Sequence, residues 1–353
     1  MRTLIVPMAG KSSRFPNVRP KWMMTHPNGR FMGIESILGL NLEFFDKILF
    51  VMLREHETQY GFCQGFARQL EELELLEKSS TVYLDKPTSS QSETVAKAIQ
   101  QANVQDFIFV KDADNYFSAT IAEGNQVCFF DLNDMDNINA RSKSYIQMDT
   151  NGRVENIVEK QVVSSTFSVG GYGFASAESF MKSYGNTTLR GDTAECYVSN
   201  VIFQMMLEGQ VFIGTKTAEF EDWGTLEAWN KYKSQYKTLF VDIDGTLITN
   251  SSRDLPPFTG QGEPVKENIE WLQQMHKTGK VQIILTTSRT RDQEAETWAE
   301  IEKHQIPNNG MIIMDLYHAQ RVVVNDFAPS NPYPSCQAIN LPRNANNLKD
   351  YIQ

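Results

Sequence analysis

Leu239-Phe240-Val241-Asp242-Ile243-Asp244-Gly245-Thr246 decides the reading of the second half of the chain. The apolar run reads as a buried strand, and it breaks into two aspartates one residue apart. At a strand end both carboxylates can reach a single phosphoryl group. Asp242 can attack phosphorus as a carboxylate nucleophile. Asp244 can protonate the leaving oxygen and then activate water. Gly245 permits the sharp turn out of the strand. An acidic turn without chemistry is the alternative, but two carboxylates crowding a strand end cost stability without a cation partner.

Outward from that stretch the pattern is α/β. Residues 264–276 read as a helix, with Pro264 at its start and Gly279 just past its end. Residues 281–285 read as a strand that ends in Thr286-Thr287-Ser288-Arg289, and residues 292–304 as a second helix. Residues 311–314 and 322–324 are expected as further strands. The gap between Gly245 and Thr287 holds a flap over residues 247–263 and one helix, too little for a cap domain, so the site is expected to be open. Upstream, the polar stretch at 230–237 separates this pattern from an earlier one. The boundary is placed near residue 236, which gives domains 1–236 and 237–353.

The first half alternates strands and helical segments too. Apolar runs at 3–8, 47–53, 82–84 and 106–110 read as strands, and residues 93–102 as a helix with its alanines and Ile99 on one face. The fold class expected for both domains is α/β, a mainly parallel sheet flanked by helices. Ligands in such sheets sit beyond the carboxyl ends of the strands. Two features fall there. The loop Gly10-Lys11-Ser12-Ser13-Arg14 follows the first strand, where backbone N–H groups approach a polyphosphate and Arg14 neutralises it, with Lys21 as a second cation. The turn Lys111-Asp112-Ala113-Asp114 follows the fourth.

Composition narrows the classes. A net charge of −10 with no basic run leaves no footprint for nucleic acid. No run approaches the roughly 18 apolar residues of a membrane helix. The short apolar start reads as a strand rather than a signal peptide, which makes the cytoplasm the expected location. Four scattered cysteines fit reduced thiols better than a disulfide frame or a zinc site, so any metal here is expected to be a hard cation on carboxylate oxygens.

The motifs carry two resemblances. Pro7-Met8-Ala9-Gly10-Lys11-Ser12-Ser13-Arg14-Phe15 with Pro20-Lys21, Asp112-Ala113-Asp114-Asn115-Tyr116-Phe117, Glu159-Lys160, Gly170-Gly171-Tyr172 and Asp222-Trp223-Gly224-Thr225 resemble, in order, the motifs of sugar-phosphate nucleotidyltransferases. That resemblance spans roughly residues 1–230 and implies a Rossmann-like domain. It implies Arg14 and Lys21 on the triphosphate, with Gly10, Ser12 and Ser13 in the phosphate loop. It further implies Lys160 on the acceptor phosphate, Gly171 at the sugar, Gln91 and Ser92 as candidates for the base, and Asp114 and Asp222 holding Mg²⁺ from opposite sides of the cleft. The chemistry needs such cations, because a phosphate monoester attacks the α-phosphate of an NTP, anion upon anion.

Asp242-Ile243-Asp244-Gly245-Thr246 resembles the first motif of the haloacid dehalogenase superfamily, in a capless Rossmannoid domain. Thr287 then resembles the phosphate-holding hydroxyl of the second motif. Arg321, with Lys280 as second choice, takes the place of the third-motif cation. Asp326, after the run at 322–324, completes a Mg²⁺ site with Asp242 and Asp244. For capless members the resemblance implies bulky substrates or assembly into a homo-oligomer.

Together these imply a bifunctional enzyme with NTP and small phosphate-monoester substrates and Mg²⁺ as cofactor. One domain transfers a nucleotidyl group to a sugar, polyol or aminoalcohol phosphate, with CTP preferred and UTP, dTTP and GTP open. The other hydrolyses a phosphate monoester. A phosphatase that consumed its neighbour's acceptor would work against it, so the two are expected to act on different phosphates of one pathway, in bacterial surface polysaccharide synthesis. The rivals are a chain with one catalytic domain and one binding or regulatory domain, and a nucleotide-sugar-dependent glycosyltransferase. Arg14 and Lys21 argue against the latter, because pyrophosphate chemistry needs those cations more than sugar transfer does.

Overall fold

The computed structural model describes residues 1–10, 19–134, 143–189, 196–250, 262–326 and 335–352. The chain divides into two compact units, Met1–Trp229 and Asn230–Gln353.

In the first unit, β1 (Thr3–Pro7) leads past a short α1 (Met32–Glu35) to β2 (Lys47–Leu53). Then come α2 (Arg54–Tyr60), α3 (Cys63–Glu72), β3 (Ser79–Leu84), α4 (Gln91–Ala102), β4 (Ile108–Lys111), β5 (Asn115–Ser118) and β6 (Gln126–Asp131). β7 (Ser144–Met148), β8 (Val154–Glu159), β9 (Thr166–Phe174), α5 (Ala177–Leu189), α6 (Val198–Leu207), β10 (Ile213–Lys216), β11 (Glu219–Asp222) and α7 (Leu226–Ser234) complete it, the division between the units falling within α7.

The main sheet runs β10-β6-β9-β4-β1-β2-β3, with β7 and β8 attached beside β9. β3, β2, β1 and β4 are parallel, and β9 lies antiparallel to both β4 and β6. Side-chain alternation explains why this sheet is covered on both faces. Leu4, Val6, Ile48, Phe50 and Met52 enter one core, while Ile5, Leu49, Val51 and Leu53 enter the other. α4 lies in the second core through Val95, Ala98 and Ile99. It starts at Ser90, whose hydroxyl accepts from Glu93 N at 3.2 Å, and ends at Asn103 with φ +50°. β5 and β11 form a separate antiparallel ribbon in which Asp222 stands opposite Asn115.

The second unit contains β12 (Lys237–Asp242), α8 (Lys266–Lys277), β13 (Val281–Thr286), α9 (Glu294–Lys303) and β14 (Ile312–Ile313). Its sheet is parallel, in the order β12-β13-β14. Val241, Ile243, Leu272, Ile283, Leu285 and Ile301 form its core. The strand expected at 322–324 does not form: Val322, Val323 and Val324 are 75%, 64% and 92% exposed. A strand exists only through its ladder, and so short a run contributes few ladder bonds. No described helix is long and apolar enough to cross a membrane. All four cysteines are free thiols.

Candidate active sites

In the first unit the chemistry gathers where β4 ends. Lys111, the last residue of β4, is fully buried. Its ammonium donates to the carbonyls of Asp112 (2.8 Å) and Asn115 (3.0 Å) and to Asn115 Oδ1 (2.6 Å), and lies 4.5 Å from the Phe117 ring centre. These bonds clamp the 112–115 turn. Burial lowers the pKa of Lys111, while desolvation and then the charge of Asp114 raise that of Asp112. Asp112 also accepts from the Gln91 amide and lies against Gly170, where φ is +78° and a Cβ would stand 2.3 Å from Asp112 Oδ2.

The turn projects Asp114, which accepts from the Lys21 ammonium. The ribbon brings Asp222 alongside, because Trp223 N donates to the carbonyl of Asp114 at 3.0 Å. Asp222 accepts from Lys143 Nζ at 2.6 Å and from Gly224 N at 2.9 Å. Two carboxylates carried on adjacent backbone, each already holding a cationic nitrogen, fit a hard divalent cation.

Lys160 sits at φ +56° after β8, with its ammonium on the Tyr197 hydroxyl and 4.4 Å from that ring. Gly10 is exposed at the end of β1, with open space where a Cβ would stand. Ser12, Ser13 and Arg14 lie outside the described residues. Two expectations change. A Cβ on Gly171 would meet Phe117 Cζ at 2.5 Å, so Gly171 is a core-packing glycine, and Gly170 is the one beside the carboxylate. Ser92 is buried and donates to the Cys196 carbonyl, which turns it away from any base.

In the second unit Asp242 closes β12, and Gly245, at φ +91°, turns the chain so that its N–H reaches Ile248 O at 2.7 Å. Arg321 Nη2 donates to Asp242 Oδ1 at 3.3 Å and approaches Ser288 Oγ at 3.4 Å. Desolvation at the strand end pushes the Asp242 carboxyl up to about 6 against the pull of Arg321. Asp244 receives Thr287 Oγ1 at 2.7 Å and the Arg289 guanidinium on two nitrogens, Nη2 at 2.7 Å and Nε at 3.0 Å. Arg289 is 2% exposed and also donates to Glu300 at 2.7 Å and Thr297 at 3.3 Å.

Three expectations are corrected here. Asp244 does not offer its carboxylate to a metal, because its oxygens meet Thr287 and a guanidinium that is itself buried and bonded to Glu300 and Thr297, a cation that cannot swing aside. Asp326 is exposed on the irregular segment, since the strand meant to deliver it is not paired. Lys280 lies at the opposite end of β13 from Thr287, on Gln235 Oε1 at 2.6 Å and over Tyr232. No group of three or more His, Cys, Asp or Glu side chains able to hold a metal forms among the described residues.

Residues 239–337 match the family model of the haloacid dehalogenase-like hydrolases. That stretch of the chain is haloacid dehalogenase-like. The haloacid dehalogenase-like stretch holds Asp242, Asp244, Thr287, Arg289 and Arg321 together.

The fold of the N-terminal part is shared with solved structures of nucleotidyl-transferring enzymes. A nucleoside-diphosphate-sugar pyrophosphorylase from Vibrio cholerae RC9 superposes with a TM-score of 0.55 at 18% identity, over 65% of this chain and 98% of that one. The inositol-1-phosphate CTP transferase from T. maritima gives 0.50 at 12%, over 64% and 90%. A UDP-glucose pyrophosphorylase complexed with UDP-glucose gives 0.50 at 14%, over 66% and 98%. At these identities the likeness is one of fold. Comparison with curated proteins gives no match.

The sequence reading missed Lys143 and Glu300, and took Lys111, Gly170 and Arg289 only as motif letters. Lys111 left a trace, a cation closing the apolar run Ile108-Phe109-Val110. Lys143 left none.

Proposed function

We propose that the chain is a bifunctional enzyme of phosphate chemistry. The first unit transfers a nucleotidyl group from an NTP to a small phosphate monoester with release of pyrophosphate. The observation that carries this is the Asp114–Asp222 pair on adjacent backbone, each carboxylate facing a lysine, within a nucleotidyltransferase fold. Asp114 and Asp222 would hold Mg²⁺, which would offset charge on the reacting phosphates. Lys21 and Arg14 serve the triphosphate, and Lys160 the acceptor phosphate. CTP is the donor of first choice, in keeping with the transferase from T. maritima. The acceptor class is a sugar, polyol or aminoalcohol phosphate, and the setting is synthesis of surface polysaccharide in the cytoplasm. The test is pyrophosphate release over a panel of NTPs and phosphate monoesters. Release is expected only with Mg²⁺ and an acceptor together, and its loss in Asp114→Ala and Asp222→Ala. Undiminished turnover in either variant removes that residue from the site.

The second unit hydrolyses a phosphate monoester. Asp242 attacks phosphorus and the leaving oxygen departs, forming an aspartyl-phosphate that water then cleaves. Arg321, which donates to Asp242, would meet the phosphoryl oxygens. Asp244 gives a proton to the leaving oxygen as it departs and recovers one from the water that attacks the aspartyl-phosphate. A second reading, in which this unit binds a phosphate without turnover, is favoured by one observation, the exposed position of Asp326. Beryllium fluoride with Mg²⁺ separates them. The catalytic reading expects an adduct on Asp242, lost in Asp242→Asn, and an adduct elsewhere sinks it.

A further inference from the structure

We propose that Lys143 is a further phosphate ligand of the N-terminal site: it rests on Asp222 in the free protein and passes to the acceptor phosphoryl group when a divalent cation takes that carboxylate. The inference deepens the nucleotidyl-transfer reading and rests on it.

Lys143 Nζ lies 2.6 Å from Asp222 Oδ2, and its side chain is only 15% exposed. This is therefore a sheltered contact rather than a solvated surface pair. Backbone geometry places Lys143 next to Lys160, whose N–H donates to the Lys143 carbonyl at 2.9 Å while Ser144 pairs with Glu159. Lys160 is the residue assigned to the acceptor. The two lysines are thus backbone neighbours, one just before β7 and the other just after β8.

The charge balance explains why Lys143 should move. Around the turn, among the described residues, the carboxylates of Asp112, Asp114 and Asp222 are matched by the ammonium groups of Lys21, Lys111 and Lys143. A doubly charged cation entering this cluster meets ammonium on both of its carboxylate ligands. Like charges a few ångströms apart repel, and a lysine swings on its four-carbon stem without moving the backbone. Lys111 cannot answer in this way, because it is buried and bonded within the turn. Lys143 can, and the rings of Phe220 and Phe167, 5.1 and 6.0 Å from its nitrogen, keep the released cation near the site. Metal and ammonium side by side then suit a phosphoryl dianion. The arrangement also favours arrival of the metal together with a polyphosphate, whose negative charge offsets it.

The test is titration calorimetry on the full chain with Mn²⁺ alone, then with inorganic phosphate or pyrophosphate added to the Mn²⁺-loaded protein. Lys143→Met is expected to bind Mn²⁺ about tenfold more tightly than the wild type and inorganic phosphate about tenfold more weakly. Lys143→Arg should restore phosphate binding. Lys143→Gln carries the same expectations as Lys143→Met if the latter fails to fold. An unchanged Mn²⁺ affinity overturns the proposal, as does tighter Mn²⁺ binding with phosphate affinity intact, which would make Lys143 a structural partner only. A wild type that binds no pyrophosphate with Mn²⁺ overturns the nucleotidyl-transfer reading itself.

Discussion

Arg289 grips Asp244 through two guanidinium nitrogens, at 2.7 and 3.0 Å, from a position almost wholly out of water. The same guanidinium reaches Glu300, so one buried cation holds two carboxylates that lie on separate elements. Breaking a buried pair by removing one partner is far more costly than never having made it.

Arg289→Met is therefore expected to destabilise the second unit by about 3–5 kcal/mol. Adding Asp244→Asn and Glu300→Gln should recover part of the loss, since the uncompensated charges go with them. Chemical denaturation of the single and combined variants measures this as a coupling energy. Strict additivity would show that Arg289 does not hold the two acids.

Asp242 titrates near 6 because burial disfavours its charge. The folded pKa lies above the ordinary value of 3.8, so the protonated form stabilises the fold at low pH, and that contribution is lost as pH rises through 6. Asp242→Asn removes the burden. Its advantage in thermal stability over the wild type should grow between pH 4 and pH 7, reaching on the order of 1 kcal/mol once solvent screening at this partly exposed group is allowed for. Phosphatase activity should vanish in the same variant. A stability gap that does not change with pH removes the ionisation of Asp242 as its cause.

Gly170→Ala places a Cβ 2.3 Å from the Asp112 carboxylate at a φ of +78°. Neither can relax without shifting the metal-facing turn, so a loss on the order of 2 kcal/mol or more is expected, together with lost pyrophosphate release. Gly10→Ala, where nothing stands within 4 Å of the new Cβ, should leave stability within about 0.5 kcal/mol. Equal melting shifts in the two variants would contradict the steric account.

Asp326 lies on a segment whose valines are exposed, and β12 pairs only with β13 among the described residues. Asp326→Ala is therefore expected to leave the Mg²⁺ concentration needed for half-maximal phosphatase activity within about twofold of the wild type, with Arg321 as the segment's link to the chemistry. A rise of about 10–100-fold would return Asp326 to the metal site.

The sequence alone determined the two α/β patterns and the strand-end positions of Asp114 and Asp242. Those features are local: alternating burial, helix caps and turn residues act over a few positions, and they place a motif at the end of a run. The partners of the carboxylates were decided only in three dimensions. Lys143 meets Asp222 across 79 residues of chain, Lys21 meets Asp114 across 93, and Arg289 meets Asp244 across 45. Spacing carries no record of such contacts, because parallel pairing and crossovers bring distant positions together. The run at 322–324 shows the converse: its apolar residues read as a strand, yet a strand exists only where another offers it a ladder, and tertiary pairing alone settles that.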